Sequence, residues 1–282
     1  MTFKLALIGH PVKHSASPGI HKQFLGQTGL KGSYNLLEIP PEQFETETLT
    51  QLKNEQWNGF NVTVPYKQKI LPYLDHIDAA AERIGAVNTI VQLNGKWTGY
   101  NTDGEGFIEA LNHSFPVQMA NRDLQILLIG AGGATRAIYD TLVQNGYRFI
   151  DVANRTTETA KSLVNQLSKP HTETVCKTLQ EAESVLDHYD VIVQTTSVGM
   201  KPASDRAVIS LERIKPSAIV SDIVYQPIET SLLRQARLHG ANVHYGHQML
   251  LYQAKHAFKL WTGQTPEVTD LAQKMYLELE GG

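Results

Sequence analysis

The segment LLIGAGGATR, from Leu127 to Arg136, joins an apolar run to three glycines and then to a helical pattern at Ala134, Ala137 and Ile138. Glycines at such a junction permit a tight turn and bring backbone N–H groups close to a pyrophosphate at a helix N-terminus. Gly130, Ala131, Gly132, Gly133 and Ala134 are therefore the candidate phosphate cradle. The usual fingerprint has a third Gly or Ala at position 135, where this chain has Thr135, so Ala137 is left to supply close helix–strand packing. A strand-to-helix turn with no ligand could carry the same glycines, and the order strand–glycines–helix is what favours a dinucleotide. The next strand-like run ends in Asn154-Arg155-Thr156. NAD sites place Asp or Glu at that tip to accept from the ribose hydroxyls. Here Asn154 and Thr156 can bond phosphate oxygens, and Arg155 offers a counter-charge and a plane to stack on adenine. That combination points to NADP, unless Arg155 is a solvated surface residue.

Five further stretches combine polar side chains with turn residues in ways that packing does not require. They are GHPVKHSASP (Gly9 to Pro18), NVTVPYK (Asn61 to Lys67), IGAVNT (Ile84 to Thr89), GYNTDGEG (Gly99 to Gly106) and GHQMLLYQAKHAF (Gly246 to Phe258). Each polar residue in them has a plainer reading. Ser17 before Pro18 could simply cap a helix, and Asp103 before Gly104 likewise. Lys67 alone could be a solvated lysine, Asn88 a turn residue and Gln253 a surface helix position. His10 and His14 are four apart, but Pro11 between them forbids a helical metal face, so no metal is expected. Cys176 lies in an alternating run, His171 to Lys177, and reads as a buried structural thiol rather than a nucleophile.

The elements that must position these residues alternate between strand-like and helix-like runs. Phe3–Gly9, Ser33–Ile39, Phe60–Val64 and Asn88–Leu93 read as strands, the last turning at Asn94-Gly95. Helical spacing covers Pro18–Gly29 and Glu42–Leu52, and alternation of this kind predicts parallel sheets with helices on both faces. After a helix near Gly104–Asn112 and a polar loop over Ser114–Asp123, the pattern restarts with Leu124–Ile129, apolar enough to be buried on both faces. Strands at Phe149–Ala153, Val191–Gln194 and Ala218–Ser221 follow, and Thr178 to Glu181 forms a capping box that should open a short helix. Gly246–Trp261 and Glu267–Leu279 read as helices, the second with Thr265 as N-cap and Pro266 at its first position. The chain thus reads as a two-domain α/β protein. A substrate-binding domain over 1–102 is completed by helices in 246–282, a Rossmann-like nucleotide domain spans 103–245, and a cleft is expected between them.

Bulk properties limit the alternatives. With 282 residues, the chain is comfortable for two domains, and 41% hydrophobic with 19% charged residues is a globular balance. A net charge of -3 argues against a nucleic-acid partner, and no apolar run is long enough for a membrane span. MTFKLALIGHPVKHS reads as a first strand rather than a signal peptide, and one cysteine suits a reducing, cytoplasmic setting. Monomer and homodimer both stay open.

Taken together, NVTVPYK, NTDG, the GAGG turn and NRT, in that order and separation, resemble the shikimate dehydrogenase family over essentially the whole chain. The resemblance implies NADPH-dependent, reversible reduction of 3-dehydroshikimate to shikimate, on the route to chorismate and the aromatic amino acids. It implies that Ser15 and Ser17 bond the substrate carboxylate, with Tyr225 of DIVYQP approaching it. Thr63, Asn88 and Gln253 would bind ring hydroxyls together with Lys67 and Asp103, the pair linked to proton transfer. Thr195, Thr196 and Ser197, with Met249 and the backbone of Gly246, would line the nicotinamide side. The chemistry agrees, because hydride transfer to a ketone leaves negative charge on oxygen and needs a donor beside it. Two rivals are a quinate/shikimate dehydrogenase using NAD or both cofactors, for which Glu158 near the NRT turn speaks, and a non-catalytic NADP sensor, which could dispense with the Lys–Asp pair.

Overall fold

The computed structural model describes residues 2–280, which divide into two units. The first holds the chain through Gly106 together with Gln253–Val268; the second holds Phe107–Tyr252 and the chain from Thr269 onward. The divisions fall inside helices α4 (Asp103–Ser114) and α10 (Gly246–Thr262) rather than at their ends. The last helix, α11 (Thr269–Glu280), goes with the second unit, whereas the sequence suggests that 246–282 completes the substrate domain. Its Met275 is buried and its Tyr276 packs edge-on against Tyr245, so apolar surface decides its place. It also starts later than Thr265 and Pro266 suggest, because Pro266 and Val268 turn inward before the helix begins.

In the first unit, β1 (Thr2–Gly9), β2 (Lys31–Glu38), β3 (Gly59–Val62), β4 (His76–Ile77), β5 (Thr89–Leu93) and β6 (Lys96–Tyr100) form one sheet in the order β2-β1-β3-β5-β6-β4. The sheet is mixed, not parallel as the alternation suggests. Asn94 and Gly95 both take positive φ, 53° and 72°, the two-residue turn that makes β5 and β6 an antiparallel hairpin. β5 also runs antiparallel to β3. The start of β5 therefore lies at the same sheet end as the carboxyl ends of β1, β3 and β6, where four of the five polar stretches leave the sheet. Helices α1 (Ser17–Thr28), α2 (Thr46–Asn54) and α3 (Ala79–Ile84) complete it, with a single 3₁₀ turn at Pro41–Gln43 separating α2 from the earlier start that Glu42 suggests. Alternate residues of β1 serve opposite faces, Ala6 and Ile8 in one apolar cluster and Phe3, Leu5 and Leu7 in another.

The second unit is a parallel sheet of β7 (Gln125–Ile129), β8 (Phe149–Ala153), β9 (Cys176–Lys177), β10 (Val191–Gln194), β11 (Ile219–Asp222) and β12 (Asn242–His244), ordered β12-β11-β10-β7-β8-β9. Ile126 and Leu128 pack on one face and Leu127 and Ile129 on the other, so β7 is buried twice over, as its sequence requires. Helices α5 (Pro116–Met119), α6 (Gly133–Gln144), α7 (Thr157–Leu167), α8 (Leu179–Glu183) and α9 (Ser231–Leu238) connect the strands; α5 occupies what reads as loop. Thr178 and Glu181 form the expected capping box at α8. Cys176 is half-buried, and burial pushes its thiol up, which disfavours the nucleophilic thiolate. Among the described residues no helix is long and apolar enough to cross a membrane.

Three buried histidines give the fold a marked response to acid. His21 stacks on Tyr34 with centroids 4.2 Å apart, and burial drives its ring down to about 3; His244 falls to about 3 and His247 to about 4 for the same cause. In the unfolded chain these rings take a proton below about 6.5. Between that value and the folded ones the unfolded state binds more protons, so stability is lost as pH falls. Asp222 has the opposite sign: burial raises it to about 7, so the folded chain takes its proton first and offsets one of the three. At roughly 1.4 kcal/mol per pH unit for each group, the net loss is about 3 kcal/mol per pH unit in the middle of the window. The melting temperature followed by circular dichroism should drop steeply from pH 6.5 to pH 4.5, values set about the ordinary histidine range. A flat profile there would mean the rings are not held neutral.

Candidate active site

At the strand ends of the first unit, Lys67 Nζ donates to Asp103 Oδ2 at 2.6 Å, and Asn88 Nδ2 donates to Asp103 Oδ1 at 2.8 Å. Both carboxylate oxygens are thus engaged, the residue being 3% exposed, while the lysine side chain stays 21% exposed at the rim. Asn88 is held from behind: its Oδ1 accepts the Thr102 N–H at 2.9 Å, and its amide also reaches Gln253 Oε1 at 3.3 Å. Local chain geometry explains the meeting. Lys67 follows β3 by five residues, Asn88 precedes β5, and Asp103 opens α4 three residues after β6. Asn88 N–H bonds Tyr100 O at 3.1 Å and Val62 N–H bonds Asn88 O at 2.8 Å, so Asn88 is pinned to both neighbouring strands.

Lys67, Asn88, Asp103 and Gln253 are held by one another rather than by solvent alone. Lys67 is paired, Asn88 is buried in a network, and Asp103 spends its oxygens on Lys67 and Asn88 rather than on a helix cap. Gln253 faces Asn88 from α10. Ser17 is the first residue of α1, not its cap, which is Ala16 with no side-chain bond; Ser17 Oγ instead accepts from Ser15 Oγ at 3.1 Å. Thr63 packs so closely on β1 that a Cβ at Gly9 would meet its Cγ2 at 2.3 Å. His14 is exposed and His10 lies 3.4 Å from Glu38, and among the described residues no His/Cys/Asp/Glu group is placed to hold a metal. Tyr225 lies in the second unit, in the loop after β11.

Sequence reasoning passed over the residues behind the pair. Asn61 Nδ2 donates to Thr89 Oγ1 at 3.1 Å, Thr89 Oγ1 donates to Asn88 Oδ1 at 2.9 Å, and Tyr34 OH donates to Asn61 Oδ1 at 2.7 Å. The readable signal was an amide and a hydroxyl inside otherwise apolar strand runs, GFNV and NTIV, since buried polar groups are kept only with partners. Gly106 shows how tightly α4 and α10 meet in this unit. A Cβ there would stand 2.4 Å from Gln253 N and 2.6 Å from its Cα, both backbone atoms. Gly106→Ala is expected to cost about 1–3 kcal/mol of stability through overpacking; a thermal melt identical to the parent's would show that the helices have room.

In the second unit the glycine turn sits where the strand order reverses, between β7 and β10. Gly130 adopts φ +121°, and a Cβ there would stand 2.5 Å from Thr195 Oγ1, so only glycine fits. Around Gly132 there is open space where a side chain would project, as backbone approach to a phosphate requires. Thr135, in the third fingerprint position, is fully buried; its hydroxyl accepts the Gly132 N–H at 3.1 Å and meets Thr195 Oγ1 at 2.7 Å. Ala137 is fully buried. Just past β8, Asn154 Nδ2 donates to Thr156 O at 2.8 Å, Arg155 is exposed, and Thr156 is the N-cap residue before α7 without a hydroxyl cap bond. Glu158 is turned along α7 toward Lys161 at 4.0 Å. Thr195 and Thr196 follow β10 beside the turn, and Gly246 abuts Ile223 and Val224, where a Cβ would stand 2.5 Å from Val224 O. These residues fit a dinucleotide: space at the glycines, helix-start N–H groups at α6, and a cation at the ribose end.

A six-stranded parallel sheet of this order, with its glycine turn at the reversal, places the second unit in the class of Rossmann-type dinucleotide-binding proteins. The chain belongs to the shikimate dehydrogenase family. Residues 7–90 match the shikimate dehydrogenase substrate binding domain, 114–231 the shikimate / quinate 5-dehydrogenase family, and 246–275 the shikimate 5′-dehydrogenase C-terminal domain. The shikimate dehydrogenase (NADP(+)) of Oceanobacillus iheyensis is 43% identical over 281 residues, covering 100% of both chains. The crystal structure of shikimate 5-dehydrogenase from Thermus thermophilus with NADP(H) and shikimate has TM-score 0.86 and 33% identity, over 98% of this chain and 99% of that one. The quinate dehydrogenase of Corynebacterium glutamicum in complex with NAD also has TM-score 0.86, with 31% identity over 98% and 99%.

Proposed function

We propose that this chain is an oxidoreductase acting on a CH–OH group, catalysing the reversible NADPH-dependent reduction of 3-dehydroshikimate to shikimate. The observation that carries this reading is the Lys67–Asp103 pair, 2.6 Å apart and backed by Asn88 and Gln253, in a chain of this family. NADPH, when bound, supplies the hydride for the ketone carbon. Lys67 stabilises the oxygen as it becomes negative and gives it a proton; in the reverse direction it accepts that proton. Asp103 keeps the ammonium in place and accepts from a neighbouring ring hydroxyl, and Thr63, Asn88 and Gln253 bind the remaining hydroxyls. Ser15, Ser17 and Tyr225 take the carboxylate.

On the cofactor side, Gly130, Ala131, Gly132, Gly133 and Ala134 cradle the pyrophosphate. Asn154, Arg155 and Thr156 hold the 2′-phosphate, and Thr195, Thr196, Ser197, Gly246 and Met249 surround the nicotinamide. The first unit is then the substrate domain and the second the NADP domain. The product feeds chorismate and aromatic amino acid synthesis in the cytoplasm, from a monomer or homodimer with small-molecule partners only. Light scattering after size-exclusion chromatography measures the subunit number.

The test is an absorbance assay of cofactor reduction with shikimate. NADP(+)-linked turnover is expected, and cofactor binding without turnover would make the chain a sensor instead. A second reading, quinate oxidation with NAD, has support in the shikimate / quinate family match and the NAD-bound quinate dehydrogenase neighbour. Rates on both substrates with both cofactors separate the two; a higher specificity constant for NAD would overturn the NADP assignment.

A further inference from the structure

Behind the proposed nicotinamide site lies a polar cluster that this reaction scheme does not use. Gln194, Asp222 and Thr230 are 1%, 0% and 0% exposed, at the carboxyl ends of β10 and β11 and the start of α9. Asp222 Oδ1 accepts from Gln194 Nε2 at 3.2 Å and from Val224 N–H at 2.9 Å, and Oδ2 accepts from Thr230 Oγ1 at 2.7 Å. Thr230 Oγ1 in turn accepts the Leu233 N–H at 3.3 Å and so caps α9. Gln194 faces the other way as well. Its Nε2 donates to Thr196 O at 3.2 Å and Val198 O at 3.0 Å, while its Oε1 accepts the Thr196 N–H.

Burying a carboxylate among neutral donors costs folding free energy, and an apolar cluster of the same shape would be no less stable. What the carboxylate does supply is two oxygens for three donors on three different segments. One segment is the turn Thr196–Val198, reached through Gln194. Another is the turn after β11, whose Ile223 and Val224 form the wall against which Gly246 lies and which leads to Tyr225. The third is the α9 start.

We infer that Asp222 and Gln194 are positioning residues for the reaction, together setting the two turns that hold the nicotinamide end of the cofactor and aim Tyr225. The inference rests on the proposed function and adds residues that touch neither substrate nor cofactor. In Asp222→Asn the side chain keeps its shape, but the group facing Thr230 becomes a donor, so the Thr230 O–H loses its acceptor and that connection persists only with its direction reversed. Thr230→Val removes that connection outright, and Thr230→Ser keeps it.

The experiment measures kcat, the KM values and hydrogen exchange on the parent and these variants. For Asp222→Asn and Thr230→Val, kcat should fall about 10- to 100-fold, the scale of a small misplacement of reacting groups. Inhibition by adenosine 2′,5′-bisphosphate, which has the adenine end of NADP and no nicotinamide, should be unchanged. Thr230→Ser should restore kcat. Exchange should quicken at the Thr196 and Val224 amides while β7 stays protected. Parallel loss of kcat and of bisphosphate affinity would show a merely structural role and overturn the inference, as would kcat at the parent's level in both variants. An inactive parent would instead sink the proposed function. Exchange would then decide this inference alone, and unchanged protection at Thr196 and Val224 would overturn it.

Discussion

In Lys67→Ala, turnover of shikimate is expected to fall about 10²- to 10⁴-fold, with little change in the affinity for NADP. The geometry gives the reason for each half of that statement. Lys67 Nζ is the donor held at 2.6 Å by a carboxylate whose other oxygen is already bound to Asn88, so its position is set by two strands and a helix start. Alanine removes the charge proposed to meet the developing alkoxide and leaves Asp103 with Asn88 alone. The residues proposed to hold the cofactor belong to the other unit, and Lys67 is not among them. Because the lysine side chain is partly exposed, water can enter beside Asp103 after truncation, and the stability loss should stay below the ~3–5 kcal/mol of breaking a fully buried pair. Steady-state rates, with a melt to confirm folding, check the prediction. Near-normal turnover in a folded variant would remove Lys67 from the chemistry.

Arg155→Ala should weaken NADP(H) about 10- to 100-fold while leaving NAD(H) nearly untouched, since a charged hydrogen bond contributes about 1.5–3 kcal/mol and only NADP carries the extra phosphate. Arg155 is exposed just past β8, with Asn154 tied back to Thr156 O at 2.8 Å. An exposed guanidinium also makes the contact sensitive to salt, so the preference for NADP in the parent should narrow as ionic strength rises. KM values for both cofactors at two salt concentrations supply the measurement. Equal losses for the two cofactors would exclude a phosphate contact at this residue.

Much of this is legible in the amino-acid sequence. The apolar run Leu124–Ile129 followed by three glycines specifies a doubly buried strand and a tight turn, because no other local conformation satisfies both the burial and the sterics. Absence of an acid at Asn154-Arg155-Thr156, with an arginine in its place, points to NADP rather than NAD. Asn94-Gly95 marks a hairpin by the positive φ it tolerates, and that hairpin makes the sheet mixed where the alternation of strands and helices suggests a parallel one. Other features needed the tertiary structure because they depend on pairing between distant segments. Only the register of β3 against β5, and of β5 against β6, brings Asn61, Asn88 and Asp103 into one hydrogen-bonded chain. The Gln194–Asp222–Thr230 cluster likewise joins the ends of two neighbouring strands to a helix cap, with Gln194 28 residues before Asp222, and no local spacing announces it. Residue types and short-range patterning thus determine which elements form and which chemistry is available. Which polar groups share a buried space is decided by packing, because the cost of leaving any one of them unpartnered is settled only when the sheets close.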